Sequence, residues 1–456
     1  MNEGSLRARM TRAVSVCTVA AVTLALGGTA GCGIKLRQVP HGDVDTSTPP
    51  GLRSQQLIDM LNSNWPIGKQ GVATMAAANK VDDYTEIMTK LWVDRPYKVS
   101  SVDLGANSST VHLIAPYGAN VDIGLRTNDK GDVDRLVPYQ QPPTIANWSD
   151  VDAALSASGG RYSYRASKIV DGQCQQIAGT NTSEPMPLAS VFKLYVLLAT
   201  GTAINAGTLG WDDQLTVTDR GKALGSSMDK LPTGSTVSVR TAAQKMISVS
   251  DNMGTDMLIN RVGRHAIEKA LADAGHHDPA SMTPFPTMHE LFNIGWGIPD
   301  VRQQWKDATT PEQRGRMLAE ADTYDYKLDP DRTTTPASKY GIEWYGSAED
   351  ICRVHAALQK VAVGPAAPVR DILAAEPGID LHSENWRYIG AKGGNLPGDL
   401  TFSWYAEDRN RQPYVVSFQL NWDRAFGPGA AGWVIGLAKG VSRSWDERLR
   451  EDHQTP

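Results

Sequence analysis

The spacing of apolar positions changes character several times along the chain. Residues 55–61 and 84–93 carry apolar side chains at helical spacing. Four stretches with strand-like alternation follow, at 98–104, 110–114, 120–125 and 132–137, with the hairpin signal Asn128-Asp-Lys-Gly131 before the last. Helices followed by an antiparallel meander predict a small α+β domain over 51–139. Gln140-Gln-Pro-Pro-Thr144 opens a linker spanning 140–147. A second domain, 148–450, begins with a short helix at 150–156 and strands at 161–169 and 173–177. Its middle is helical, through 239–247, 252–262 and 265–274. A polar, Trp-containing stretch at 295–339 reads as an insertion with helices at 300–305 and 311–321. A further helix at 347–358 precedes strands at 386–392, 400–407 and 413–422, and a closing helix at 432–449. Strands at both ends with helices between them predict one antiparallel sheet assembled from the two termini, with a helical lobe beside it. The fold class is α+β.

One run departs from amphipathic spacing. In Pro187-Leu-Ala-Ser190-Val-Phe-Lys193-Leu-Tyr-Val-Leu-Leu-Ala199 the positions after the lysine are apolar all round, as in a helix buried within a domain. Positions i and i+3 share a helix face, so the hydroxyl of Ser190 and the amine of Lys193 are expected within reach of each other. A desolvated ammonium loses its proton more readily, and a free amine beside a serine can activate it as a nucleophile. Ser227-Met-Asp-Lys230 repeats the spacing but runs into Leu-Pro-Thr-Gly, with no helix to carry it.

The 456 residues carry a net charge of −5, a pI near 6.0 and 21% charged residues, which is unlike a basic nucleic-acid binder. Arg7, Arg9 and Arg12 precede the apolar run 13–26, and small residues then lead to Cys32. This predicts an export signal over 1–32, its apolar run too short to span a membrane. Thr29-Ala-Gly-Cys32 resembles a bacterial lipobox, which makes Cys32 the expected lipidation site and 33–50 a tether from the membrane surface. Cys174 and Cys352 remain, in a compartment that permits disulfides; their distance in sequence favours leaving them unpaired. His276-His277 reads as a surface turn with only Asp278 near it, and no metal or cofactor is expected.

Two further motifs extend the serine–lysine pair. Ser250-Asp251-Asn252 lies between two helical patterns and offers a second hydroxyl and a carboxamide, although such residues also favour helix N-caps. Lys392-Gly393-Gly394 ends a strand, presenting a positive charge to an anionic group and glycines that let a substrate backbone approach. Lys339-Tyr-Gly341 has a similar form but leads towards a helix.

Ser190-x-x-Lys193, Ser250-Asp-Asn252 and Lys392-Gly-Gly394, in that order, resemble the active-site set of class A β-lactamases and penicillin-binding proteins. Ser250 follows Ser190 by 60 residues (250 − 190), the separation associated with class A enzymes. The layout also resembles two-domain β-lactamase-like lipoproteins of actinobacteria, and a similar protein of clavulanic acid gene clusters, in which a small cystatin-like α+β domain comes first. The resemblance implies that Ser190 is acylated, Lys193 accepts its proton, and Ser250 relays a proton to the leaving group under the influence of Lys392. It implies substrate contacts by Asn252, Gly393, Gly394 and Asn395, with an oxyanion between the N–H groups of Ser190 and Asn395. Asp251 reads as a structural hydrogen-bonding residue.

Two positions depart from the family pattern. In Thr287-Met288-His289-Glu290-Leu291-Phe292-Asn293, Met288 stands where the water-activating glutamate belongs. Asn293 occupies the place where a zinc motif needs its second histidine. Gly393 lacks the hydroxyl that the family places on the β-lactam carboxylate. The expectation is a lipid-anchored serine hydrolase of the cell envelope, acting through an acyl-enzyme on a small ester, a peptidoglycan-like amide or a β-lactam, and a poor β-lactamase. The alternative is a non-catalytic protein that recognises penicillin or cell-envelope peptide.

Overall fold

Hydrophobic alternation and helical spacing place the first elements of the computed structural model, which describes residues 44–452 except 223, 225, 377 and 379–385. The expected signal over 1–32, with Cys32, lies outside the described residues, as does the tether up to residue 43. Helix α1 (Pro49–Leu61) starts at Thr48, whose hydroxyl accepts from Gly51 N. Helices α2 (Lys69–Ala73) and α3 (Val81–Trp92) follow. Strands β1 (Lys98–Leu104), β2 (Ser108–Ile114), β3 (Asn120–Thr127) and β4 (Val133–Gln140) form an antiparallel sheet in chain order. Val111, Leu113, Val121, Ile123 and Leu125 alternate inward and bury against Leu57, Ile58 and Leu61.

The second sheet joins both ends of the remaining chain. After α4 (Trp148–Ser156) come β5 (Arg161–Val170), β6 (Gln173–Thr180) and β7 (Met186–Pro187). The helical lobe follows: α5 (Lys193–Asn205), α6 (Asp219–Lys222) inside the small ribbon of β8 (Gln214–Thr216) and β9 (Thr236–Ser238), then α7 (Val239–Ser248), α8 (Asn252–Val262), α9 (Arg264–Asp273), α10 (Met288–Trp296), α11 (Arg302–Asp307) and α12 (Pro311–Ala321). Strand β10 (Tyr345–Gly346) pairs with β7, and α13 (Ala348–Val361) and α14 (Pro368–Ala374) return the chain to β11 (Trp386–Leu396), β12 (Asp399–Asp408) and β13 (Pro413–Asn421). Helix α15 (Pro428–Asp452) closes the fold. The sheet order is β11-β12-β13-β5-β6, antiparallel throughout, so strands from the two ends meet where β13 pairs with β5. This is the expected arrangement.

Each sheet face has its own chemistry. Towards α15 point Tyr164, Ala166, Phe402, Trp404, Phe418 and Leu420, in one apolar cluster with the core of the N-terminal layer. Towards the helical lobe point Ser163, Ser167, Thr401, Ser403, Ser417 and Gln419, all buried. The two layers are knit together. Arg424 Nη2 donates to Val93 O (2.7 Å), and Gln140 Nε2 donates to Gly429 O (3.0 Å). The stretch read as a linker lies along α15: a Cβ at Gly436 would meet Pro143 at 2.8 Å, and one at Gly440 would meet Ile145 at 2.7 Å. Spaced four residues apart, these glycines open a groove on one helix face.

One expectation needs correction. Cys174 and Cys352 are bonded to each other, with Cα atoms 6.3 Å apart across 178 residues of sequence. β6 runs beside α13, which brings together two cysteines whose sequence distance argued against a pair. The segment read as an insertion carries helices at Arg302–Asp307 and Pro311–Ala321 and is anchored in the core by the buried Trp296, Trp305 and Leu318, with the indole N–H groups of Trp296 and Trp305 donating to Thr335 O and Gly341 O.

Candidate active site

Ser190 lies in a 3₁₀ turn, Ala189–Phe192, that leads into α5. The expected single helix is therefore wound more tightly at its start, where i and i+3 eclipse. Ala189 has φ +43° and Ser250 φ +58°, so both candidate hydroxyls sit at turns holding a non-glycine residue in the left-handed region. Gly394 explains how close the sheet comes: a Cβ there would sit 2.4 Å from Ser190 N and 2.9 Å from Leu188 O. Only a residue without a side chain lets β11 press against the Ser190 turn.

Lys193 is fully buried at the start of α5. Its Nζ donates to Ser250 O (2.7 Å), Ser250 Oγ (3.2 Å) and Asn252 Oδ1 (2.9 Å). The sequence placed this amine beside Ser190 Oγ; the strained turn at Ser250 instead brings three oxygens to it, and no hydrogen bond joins it to Ser190. Lys392 approaches the same hydroxyl from the sheet. Its Nζ donates to Ser250 Oγ (3.0 Å) and to Gly393 O. Burial pushes the Lys392 ammonium down to about 7. Burial first, and then the charge of Lys392, hold Lys193 well below the ordinary lysine range against the pull of Asp251 and Asp256. Ser250 Oγ thus lies between two amines that both resist protonation.

Lys392 also departs from its expected setting. The strand runs on to Leu396, with Gly393 and Gly394 in register opposite Phe402 and Thr401. The residue is only 4% exposed. Its ammonium is engaged by Ser250 and Gly393 rather than offered to an anion in the cleft.

A cavity of about 320 Å³ brings together Ser190, Ser250, Gly393, Gly394 and Asn395. Lys193, Asn252 and Lys392 stand behind its wall, reaching it through Ser250. Asp251 accepts from Ser226 Oγ (2.6 Å), Ser227 N (2.7 Å) and Gly254 N (2.8 Å), and so caps α8. Ser227 of the second Ser-x-x-Lys is one of its donors, while Lys339 meets Asp423 at an exposed surface. Met288 is buried at the start of α10. Glu290 forms a capping box with Thr287 and pairs with Arg264 through both oxygens, which leaves it engaged in structure. His276 is buried rather than on a surface turn, and Asp350 joins it and His277 within 4.8 Å. That carboxylate accepts from His277 N (2.8 Å), Ser347 N (2.8 Å) and Arg353 Nη1 (3.2 Å), and so caps α13.

Several residues around the site carry no motif. Asp256 receives Met288 N (2.7 Å) and His289 N (3.0 Å), and burial pushes its carboxyl up to about 7. Glu343 faces the N–H of Ala189; burial, then Asp399, push its carboxyl well above the usual carboxylate range. His355 meets Ser403 Oγ (3.0 Å), which donates to Lys392 O (3.3 Å) and supports the strand from behind. For Asp256 and His355 the only signal was position on the buried face of a helix, and Glu343, in a loop before β10, carried none.

Fold and site together give the C-terminal region a β-lactamase-like fold. Residues 147–324 match the model of the Beta-lactamase enzyme family. Residues 45–133 match the family described as ORF 12 gene product N-terminal. The chain is 24% identical to β-lactamase VEB-1 of Pseudomonas aeruginosa over 150 residues, 32% of this chain and 47% of that protein. It thus spans about half the length of that relative. Among solved structures, it resembles PBP-A (14% identity, 66% of this chain and 95% of that one, TM-score 0.45). It also resembles the β-lactamase from Sphaerobacter thermophilus (19% identity, 66% and 96%, TM-score 0.44).

Proposed function

We propose that the chain is an exported serine hydrolase that forms an acyl-enzyme on Ser190. The observation that carries this reading is the Ser250 hydroxyl held between the amines of Lys193 and Lys392, on the wall of the cavity that Ser190 enters. Ser190 Oγ attacks the carbonyl carbon of an ester or amide, and its proton passes by way of the Ser250 hydroxyl to the neutral amine of Lys193. The oxyanion is met by the N–H groups of Ser190 and Asn395. As the bond to the leaving oxygen or nitrogen breaks, Ser250 delivers a proton to it, and Lys392 tunes Ser250. Asn252, placed behind the cavity wall, orients Lys193 rather than contacting the substrate. A small ester, a peptidoglycan-like amide and a β-lactam all fit this chemistry.

Release of the acyl group is slow in this reading, because Met288 holds the place of a water-activating carboxylate and Glu290 is tied to Arg264. β-Lactams are therefore turned over poorly. The Cys174–Cys352 bond favours an oxidising compartment, consistent with export and a lipid anchor on Cys32 in the cell envelope. The test is intact-protein mass spectrometry over time with a fluorophosphonate and a labelled penicillin. The expected result is a persistent adduct that Ser190→Ala abolishes. A folded wild type that takes up neither probe refutes the acyl-enzyme and leaves the recognition protein.

A further inference from the structure

The cavity beside Ser190 has two unlike walls. Ser190 and Ser250 line one side of β11. On the other side Gly393 and Gly394 present no side chains, and the space under the strand edge is closed by Leu400 and Phe402 of β12 and by Val434 and Ile435 of α15. Phe402 stands in register opposite Gly393, and a Cβ at Gly393 would lie 3.2 Å from Phe402 Cδ2. The aromatic ring thus borders the space into which a side chain at 393 would grow. Among the described residues lining the cavity there is no lysine, arginine or histidine. The nearest ammonium, Lys392, is buried and bonded to Ser250 Oγ and Gly393 O.

A carboxylate placed in this compartment would lose its water and find no countercharge, which is strongly unfavourable. An alkyl or aryl group would bury apolar surface against Leu400, Phe402 and the helix. We infer that the compartment formed by Gly393, Phe402, Val434 and Ile435 selects substrates whose acyl group is uncharged and apolar, making esters with neutral acyl chains the preferred class. This rests on the Ser190 reading and narrows it: the polar wall carries out acyl transfer, and the apolar wall chooses the acyl group.

The test compares acylation bursts rather than turnover, since release of p-nitrophenol reports the first step. The matched probes are p-nitrophenyl pentanoate and the mono-p-nitrophenyl ester of glutaric acid, alike in length but differing in a terminal carboxylate. p-Nitrophenyl acetate gives the chain-length dependence. Expected are acylation of the neutral ester at least tenfold faster than the anionic one, and a gain on the order of tenfold from acetate to pentanoate. The variant Ile435→Lys, at a half-buried position on the cavity wall, adds an ammonium and should narrow the neutral-to-anionic ratio by about tenfold. Equal or faster acylation by the anionic ester, no gain with chain length, or an unchanged ratio in folded Ile435→Lys overturns the apolar selection while Ser190 acylation stands. No burst and no fluorophosphonate adduct on the folded wild type removes the acyl-enzyme reading, and this one with it.

Discussion

The two faces of the five-stranded sheet are both buried, yet they hold the molecule together by different means. Successive residues of β13 show it. Phe418 is fully buried against Tyr164 and Trp404 on the side of α15, while Gln419, also fully buried, turns the other way and donates to Gly346 O (3.0 Å). The α15 face is non-directional packing continuous with the N-terminal layer. The lobe face is a row of directed bonds: Thr401 Oγ1 to Pro187 O (2.7 Å), His355 with Ser403 (3.0 Å), and Arg165 with Glu349 (3.1 Å). Packing tolerates small displacements at modest cost, whereas hydrogen bonds fix one register. The directed face is the one that positions Pro187, β11 and hence Ser190.

If the division is right, mutations on the two faces should separate stability from acylation. Phe418→Ala should lose about 3–5 kcal/mol of unfolding free energy, with the tagging rate of the remaining folded protein changed less than twofold. Urea unfolding and fluorophosphonate labelling measure the two quantities, and a large fall in labelling would erase the distinction. Cys174→Ser with Cys352→Ser comes next, at about 2–4 kcal/mol, because the bond ties β6 to α13 and not to the Ser190 turn. Gly394→Ala should reverse the pattern. The new methyl must displace Ser190 N or Leu188 O, and misplacement of a reacting group by about 1 Å costs on the order of a hundredfold in rate. Thr401→Val keeps the shape and removes one bond to Pro187 O. About 1 kcal/mol of stability and a roughly tenfold slower acylation are expected.

The same contrast explains what could be read from the sequence. Period-two alternation marked the strands of both sheets, and helical spacing marked most of the lobe, because apolar burial leaves a repeating signature. The ordered serine, lysine and glycine motifs marked Ser190, Lys193, Ser250 and Lys392. Directed contacts leave no such trace. Ser190 was placed on a regular helix, since nothing in the composition signals a 3₁₀ turn. Lys392 was placed at a strand end, because two glycines suggest a turn when the partner row Phe402–Thr401 is not seen. Asp256, Glu343 and His355 acquire partners only after folding. The same holds for two cysteines 178 residues apart.

The smallest expected effect probes the charged groups behind the directed face. Burial pushes the Lys392 ammonium down to about 7 and the Asp399 carboxyl up to about 7, with Glu343 also raised beside it. Between about pH 7 and 10.4 the unfolded chain holds the Lys392 proton that the folded protein lacks, so this group makes stability rise with pH. Between about pH 4 and 7 the folded protein keeps the Asp399 proton that the unfolded chain has lost, so this group makes stability fall as pH rises. Together the two place a shallow trough in the urea midpoint near neutrality. Asp399→Asn keeps the Oδ1 acceptor for Ser338 (3.0 Å) and Asn421, and should flatten the acid side of the trough while leaving the alkaline side. Acylation should fall towards acid in both proteins, because it needs the amine of Lys193 uncharged, and burial holds that amine below the ordinary lysine range. An acid side equally steep in wild type and variant would place those protons elsewhere. A rate independent of pH from 5 to 9 would detach the amines from the chemistry.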